Sequence, residues 1–267
     1  MATKTAAKPK AKTGTAVATR TDGPSPAMLK RMQKDSMRGR STDQADNMIP
    51  LIYVLQSLSP QVLKKKDTYI NGAEPGDIWL RNAPDPIVKG EEGIEFQPCF
   101  FSKDWVEWVP RDDGGGFVAR HDSLPEDHKR LEDKKNKNKV RFMSPRGTEY
   151  IETRYHVGYV LGRGQPLPFV IPLSSTGHSF SKKWMFMINS QDDGNGGVPP
   201  SFARKYRLFI KAMSNNQGDW FGWDVEDLGW VDEAQYDAGD KLNVAFARGA
   251  KTMEAPERGE AGEDTDM

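Results

Sequence analysis

The polarity pattern changes period several times along the chain. From Ile49 to Leu55, within NMIPLIYVLQSLSP, apolar residues run almost without a break, which predicts a strand buried on both faces. Asn71-Gly72 and Pro75-Gly76 in INGAEPGDIWL mark turns ahead of a strand over 78–80. EEGIEFQPCFF reads as a further strand, and Pro98, which has no N–H to give to a ladder, predicts an edge or a bulge there.

A strict alternation follows. One face carries Phe101, Lys103, Trp105, Glu107, Val109 and Arg111, the other Phe100, Ser102, Asp104, Val106, Trp108 and Pro110. The glycines of RDDGGGF supply the positive φ angles of a turn, and the chain returns through Phe117, Val118 and Ala119, so a hairpin is expected. LPEDHKRLEDKKNKNKVRF shows neither helical nor strand period and predicts a basic loop over 126–141. Alternation resumes in TRYHVGYVLG, with Tyr155, Val157, Tyr159 and Leu161 on one side, and LPFVIPL continues as a strand.

In GHSFSKKWMFMIN the period becomes helical: Phe180, Trp184, Met187 and Ile188 form one apolar stripe, which places Trp184 in the core. KYRLFIK alternates Lys205, Arg207, Phe209 and Lys211 against Tyr206, Leu208 and Ile210, and NNQG turns into a partner strand with Trp220, Phe221 and Trp223. EAQYDAGDKLNVAFARG reads as a helix despite Gly239, and SPAMLKRMQK as a short basic helix with Ser25 as cap and Pro26 at its first position. The resulting fold class is mainly β (α+β): an OB-like β-barrel or a twisted antiparallel sheet with one or two short helices and disordered termini.

Composition sharpens the domain limits. Only 36% of the residues are hydrophobic and the mean hydropathy is −0.72, low for a chain packed along its whole length. Charge sums to zero but is unevenly spread: residues 1–40 hold ten Lys/Arg against two Asp, and residues 251–267 six acids against two cations. A basic arm over 1–45, one β-rich nucleic-acid-binding domain over 46–250 and an acidic tail over 251–267 are therefore expected. A basic arm implies a polyanionic partner, and the acidic tail a competitor for it or a dock for partner proteins.

Several chemistries lack their signatures. The four histidines have no HxxxH or HExxH spacing and Cys99 is the only cysteine, so neither a metal site nor a disulfide is expected. No GxxxxGK[ST] loop and no GxSxG elbow is present, so no cofactor, metal or catalytic residue is assigned. Asp112/Asp113 and Asp192/Asp193 read as acidic turn residues, with a bound metal ion as the other reading. No apolar run approaches the roughly 18 residues of a membrane span.

What remains is a combination suited to single-stranded nucleic acid, which offers phosphates to cations and unstacked bases to aromatic rings. Trp105, Trp108, Phe209 and Trp220 are the candidate stacking residues. Lys103, Arg111, Lys205, Arg207 and Lys211 are the candidate phosphate contacts, supplemented by Lys134, Lys135, Lys137 and Lys139 of the basic loop.

IPLIYVLQSLSP, GAEPGDIWL, WVEWVPRDDGGGFV and the SKKW…PPSFARKYRLFIKAMSNNQGDW region resemble the single-stranded DNA-binding proteins of tailed-phage replication and recombination modules, over about residues 48–237. The resemblance implies an OB-like barrel, a non-enzymatic protein that coats single-stranded DNA in the cytoplasm of the infected host, and possible homo-oligomers, with replication or recombination proteins as partners of the acidic tail. The chain departs from such proteins by closing on EDTDM instead of an aromatic residue. A virion structural or decoration protein is the other reading, with the same strands serving as core and interfaces.

Overall fold

The computed structural model of the protein describes residues 24–35, 48–110, 113–132, 140–163, 166–215, 218–249 and 253–255. The chain forms two units, residues 1–41 and 42–267. The first contains α1 (Pro26–Lys34), started by Pro26 and by the Ser25 hydroxyl, which accepts from the Met28 N–H at 3.3 Å. Met28, Leu29 and Met32 are exposed on it.

The second unit is mainly β. Its small antiparallel sheet comprises β1 (Ile52–Val54), β2 (Ile78–Leu80) and β3 (Ile87–Val88). The large sheet is built from β4 (Ile94–Trp108), β5 (Phe117–His121), β6 (Lys129–Glu132), β7 (Val140–Met143), β8 (Glu149–Val160), β9 (Leu167–Ser174), β10 (Arg204–Asn215) and β11 (Gly218–Trp230). The helices α2 (Gly177–Asn189) and α3 (Glu233–Ala247) complete it. The path β11-β10-β4-β8-β7-β6 is branched, with β5 on β4 and β9 on β8, and the sheet stays open; of the two architectures expected, the antiparallel sheet forms and the closed barrel does not.

β4 explains the branching. Its first half pairs with β10 and its second half with β5, while β8 runs along its other side throughout. Pro98 pairs with Gly158 and Phe100 with Val157, so Cys99 is the extra residue of a bulge that reverses which parity faces which side. Before it, Ile94 and Phe96 face a first core shared with Ile52, Leu208 and Trp184; after it, Phe100 and Val106 face a second core with Val157 and Phe246.

The first core lies between the two sheets and α2, whose Phe180, Trp184 and Ile188 are buried as the stripe predicts. The second lies beneath α3, where the continuous apolar run around Leu51 alternates its side chains between the two cores. α3 begins with a reciprocal cap between Asp232 and Gln235. Gly239 is needed there because a Cβ would sit 2.6 Å from Gln97 Nε2 and 2.7 Å from Phe202 Cβ. That close approach lets the Gln97 amide donate to Phe202 O at 2.8 Å and Gln235 O at 2.9 Å.

Two expectations are corrected. Within the basic loop expected over 126–141, residues 129–132 belong to β6 and 140–141 to β7, with Arg130 opposite Phe142 and Leu131 opposite Arg141, while 133–139 lie outside the described residues. The acidic tail does not start free at 251: Met253 bridges Ile49, the Glu254 N–H donates to Ile49 O at 3.1 Å, and Arg120 donates to Glu254 O. The arm before residue 24 and the tail after 255 lie outside the described residues.

Candidate nucleic-acid interface

Beyond the bulge, Lys103 and Trp105 point to the α2 side of the large sheet. Lys103 is exposed, stands opposite Arg154 of β8 and makes no ion pair with a described residue. Arg154 pairs with Glu152 at 3.0 Å, and Glu152 stands opposite Trp105. The half-buried Trp105 meets Phe142 of β7 edge-on, with centroids 5.2 Å apart, and His128 meets the same ring at 5.4 Å. This aromatic group was only half legible: Trp105 stood out in the alternation, but Phe142 was hidden in the stretch expected to be a loop.

Histidines support this face. His156 is buried and stacks on Trp184 at 4.5 Å with its Nε2 2.9 Å from Ser181 Oγ, and burial lowers its pKa to about 3. His178, at the start of α2, donates from Nε2 to Glu152 O at 2.9 Å. Burial holds its pKa below the ordinary value, and the charges of Arg154 and Lys182 push the same way. Glu107 is buried farther along β4, beside His121; burial pushes its carboxyl up, but the Thr148 hydroxyl and His121 bind it and hold it below the usual range.

Trp108 leaves the candidate set. It is 5% exposed in the second core and packs edge-on against Phe117, so its faces are not available to a base. The sequence could not show this, because the second core to which Trp108 belongs is assembled from residues distant in the chain, among them Ile49, Leu242 and Phe246.

The β10 strip also needs correction. Arg207 pairs with Glu95 across the ladder, on the face opposite Ile94, Phe96 and the first core. Lys205, Arg207, Phe209 and Lys211 thus lie on the opposite side of the sheet from Lys103 and Trp105, and the two strands do not form one platform. The β10 cations are also already paired: Lys205 with Glu95 at 3.1 Å, Arg207 with Glu226 at 3.5 Å, and Lys211 with Asp224 at 2.5 Å. Arg207 donates in addition to Glu91 O and Glu92 O, and the Phe209 ring lies between Arg207 and Lys211 at 5.0 and 5.1 Å. Burial works against the charge on Asp224, yet Lys183 and Lys211 bring its pKa down to about 2.

Trp220 is half-buried at the far end of the β10–β11 hairpin, opposite Met213. Arg111, Lys134, Lys135, Lys137 and Lys139 lie outside the described residues. Asp192 and Asp193 accept hydrogen bonds from N–H groups of their own loop, Gly194 at 2.6 Å and Asn195 at 2.7 Å, as turn residues do. Among the described residues no cluster of three or more His, Cys, Asp and Glu side chains is placed to hold a metal ion, and no helix is long and apolar enough to cross a membrane.

Comparison with known families adds one decisive match: the model of the Pam3 phage gp34-like proteins covers residues 14–252. The chain belongs to the Pam3 phage gp34-like family. No curated protein and no solved structure matches it. For this gp34-like protein the family therefore establishes a phage context, and the chemistry rests on the face described above.

Proposed function

We propose that this gp34-like protein is a non-enzymatic binder of single-stranded DNA that coats and protects strands during phage replication or recombination in the cytoplasm of the infected host. The observation that carries the reading is the Trp105–Phe142 aromatic pair set beside the cross-strand cations Lys103 and Arg154 on one sheet face. Rings offer sequence-tolerant stacking of about 1–3 kcal/mol per base, and adjacent unlike surfaces of this kind match a strand whose bases and phosphates alternate. Lys103, free of a carboxylate partner among the described residues, is the cation best suited to a phosphate.

Titration of tryptophan fluorescence with a thymidine oligomer and with duplex of equal length tests the reading. Quenching by the single strand, weakened by added salt and clearly reduced in Trp105→Ala, is expected. If neither ligand changes the signal, the single-strand reading fails and the virion-protein reading takes its place.

A further inference from the structure

A recess opens where four elements meet: β1, the end of β9, the start of α2 and the far end of the β10–β11 hairpin. Its lining includes Ile52, Val54, Leu173, Phe180 and Trp223, all buried and all part of the first core. The Phe180 and Trp223 rings stack on each other with centroids 6.3 Å apart at 27°, and both line the recess. Thr176 and Ser179, both exposed, bring hydroxyl groups to the rim.

Size and chemistry narrow the ligand. Within an open volume of about 490 Å³, the centre of a water-sized sphere has about 50 Å³ in which to move. Since one water needs on the order of 10–15 Å³ by that measure, the recess has room for roughly four waters, closer to a single flat ring than to a fused pair. An apolar aromatic lining favours an unsaturated ring, and the Ser179 hydroxyl, whose proton goes to Thr176 O at 3.0 Å, keeps lone pairs that accept from the N–H groups of a base edge.

The recess also adjoins the candidate interface. Leu173 stands opposite Arg154 across the β8–β9 ladder, and Arg154 stands opposite Lys103 across the β4–β8 ladder. One row across the sheet therefore leads from the recess to the two cations. A strand with one base in the recess and a phosphate on Lys103 would follow this row.

We propose that this recess is a binding site for one pyrimidine base of the bound strand, which gives the protein a preference for pyrimidine over purine sequences. The site rests on the single-strand reading and adds base selectivity to it.

The test compares binding of labelled oligothymidine, oligocytidine and oligoadenosine of equal length at fixed salt, for the full chain and for Ser179→Trp, which puts a bulky ring at the rim from an exposed helix position. The unaltered protein should favour both pyrimidine oligomers by about tenfold. Ser179→Trp should weaken them by roughly five- to a hundredfold, the loss of one stacked base, with oligoadenosine affinity changed less than about twofold.

Equal affinity for all three oligomers, or a folded Ser179→Trp protein with undiminished pyrimidine binding, overturns the site while leaving the single-strand reading standing. Absence of binding to any oligomer removes both. Should Ser179→Trp not fold, photocrosslinking of the unaltered protein to a 5-iodouracil oligomer decides the matter. Adducts in peptides spanning 173–180 or 220–223 support the recess, and adducts confined to the Trp105 and Phe142 region overturn it.

Discussion

At the scale of single residues, His156 shows how burial turns a titratable group into a pH liability. Its folded-state pKa is lowered to about 3, whereas the unfolded chain takes up the proton near the ordinary value of about 6.5. Between those values the unfolded state binds more protons, so the stability associated with neutral His156 is complete above about pH 6.5 and is lost as the pH falls. Lowering the pH from 6.5 to 5 should remove about 2 kcal/mol through this group, visible as a lower urea midpoint. His156→Gln should be less stable at pH 7 and should show a flatter pH dependence over that range; an unchanged slope would assign the effect to other groups. The period-two pattern placed His156 on a strand face, but the Trp184 ring that covers it comes from a separate helix. Likewise, Trp105 and Trp108 are both bulky rings in one strand. Their opposite parity puts only Trp108 in the second core, whose other members come from distant parts of the chain, and leaves Trp105 half-buried on the other face.

At the scale of elements, the alternation of β10 was legible over 205–211, and its charge state was not. The acids that neutralise its outer face come from β4 and β11, and pairing across a ladder leaves no periodic trace in the strand itself. Lys205→Glu combined with Arg207→Glu should set carboxylates against Glu95 and Glu226, where like charges repel. We expect a loss of about 1–2 kcal/mol of stability by chemical denaturation. Affinity for oligothymidine should change less than about threefold, and a far larger loss in a folded protein would restore the strip to the binding face. The neighbouring strand has its own guard. The Gln56 side chain donates to Phe221 O at 2.8 Å and accepts from the Phe221 N–H at 3.0 Å, making the pair of bonds that an added strand would make. Asp224 and Asp227 side chains accept from the N–H groups of Val225 and Gly229 on the same strand. An edge occupied in this way resists pairing with another chain. Gln56→Leu should expose it at Phe221 and increase self-association in sedimentation velocity; a protein whose sedimentation is unaltered would show that the amide bonds do not protect the edge.

At the scale of the whole molecule, distant parts of the sequence close the second core. Ile49 pairs with Met253 and Leu51 with Val170, contacts that no local periodicity announces. Glu254 is the clasp. Its carboxylate lies 3.3 Å from Arg81 and accepts from Asn82 at 2.9 Å, just after β2, and its main chain joins Ile49 and Arg120. The sequence showed Glu254 only as one acid among six near the end, and charge counting alone assigned it to a solvated tail. Its side chain is instead 19% exposed and serves the fold. Glu254→Ala should cost about 1.5–3 kcal/mol, the scale of a hydrogen bond to a charged group, because it also leaves Arg81 without this partner. The clasp joins the lead into β1 to β5, so hydrogen exchange should rise around Ile49–Leu51 and Arg120 together. Lys103 and Trp105 lie on the other face, and single-strand affinity should hold within about twofold. A loss of stability without joint exchange at those two segments would show that Glu254 acts locally. A loss of affinity would show that the two faces of the sheet are coupled through the second core.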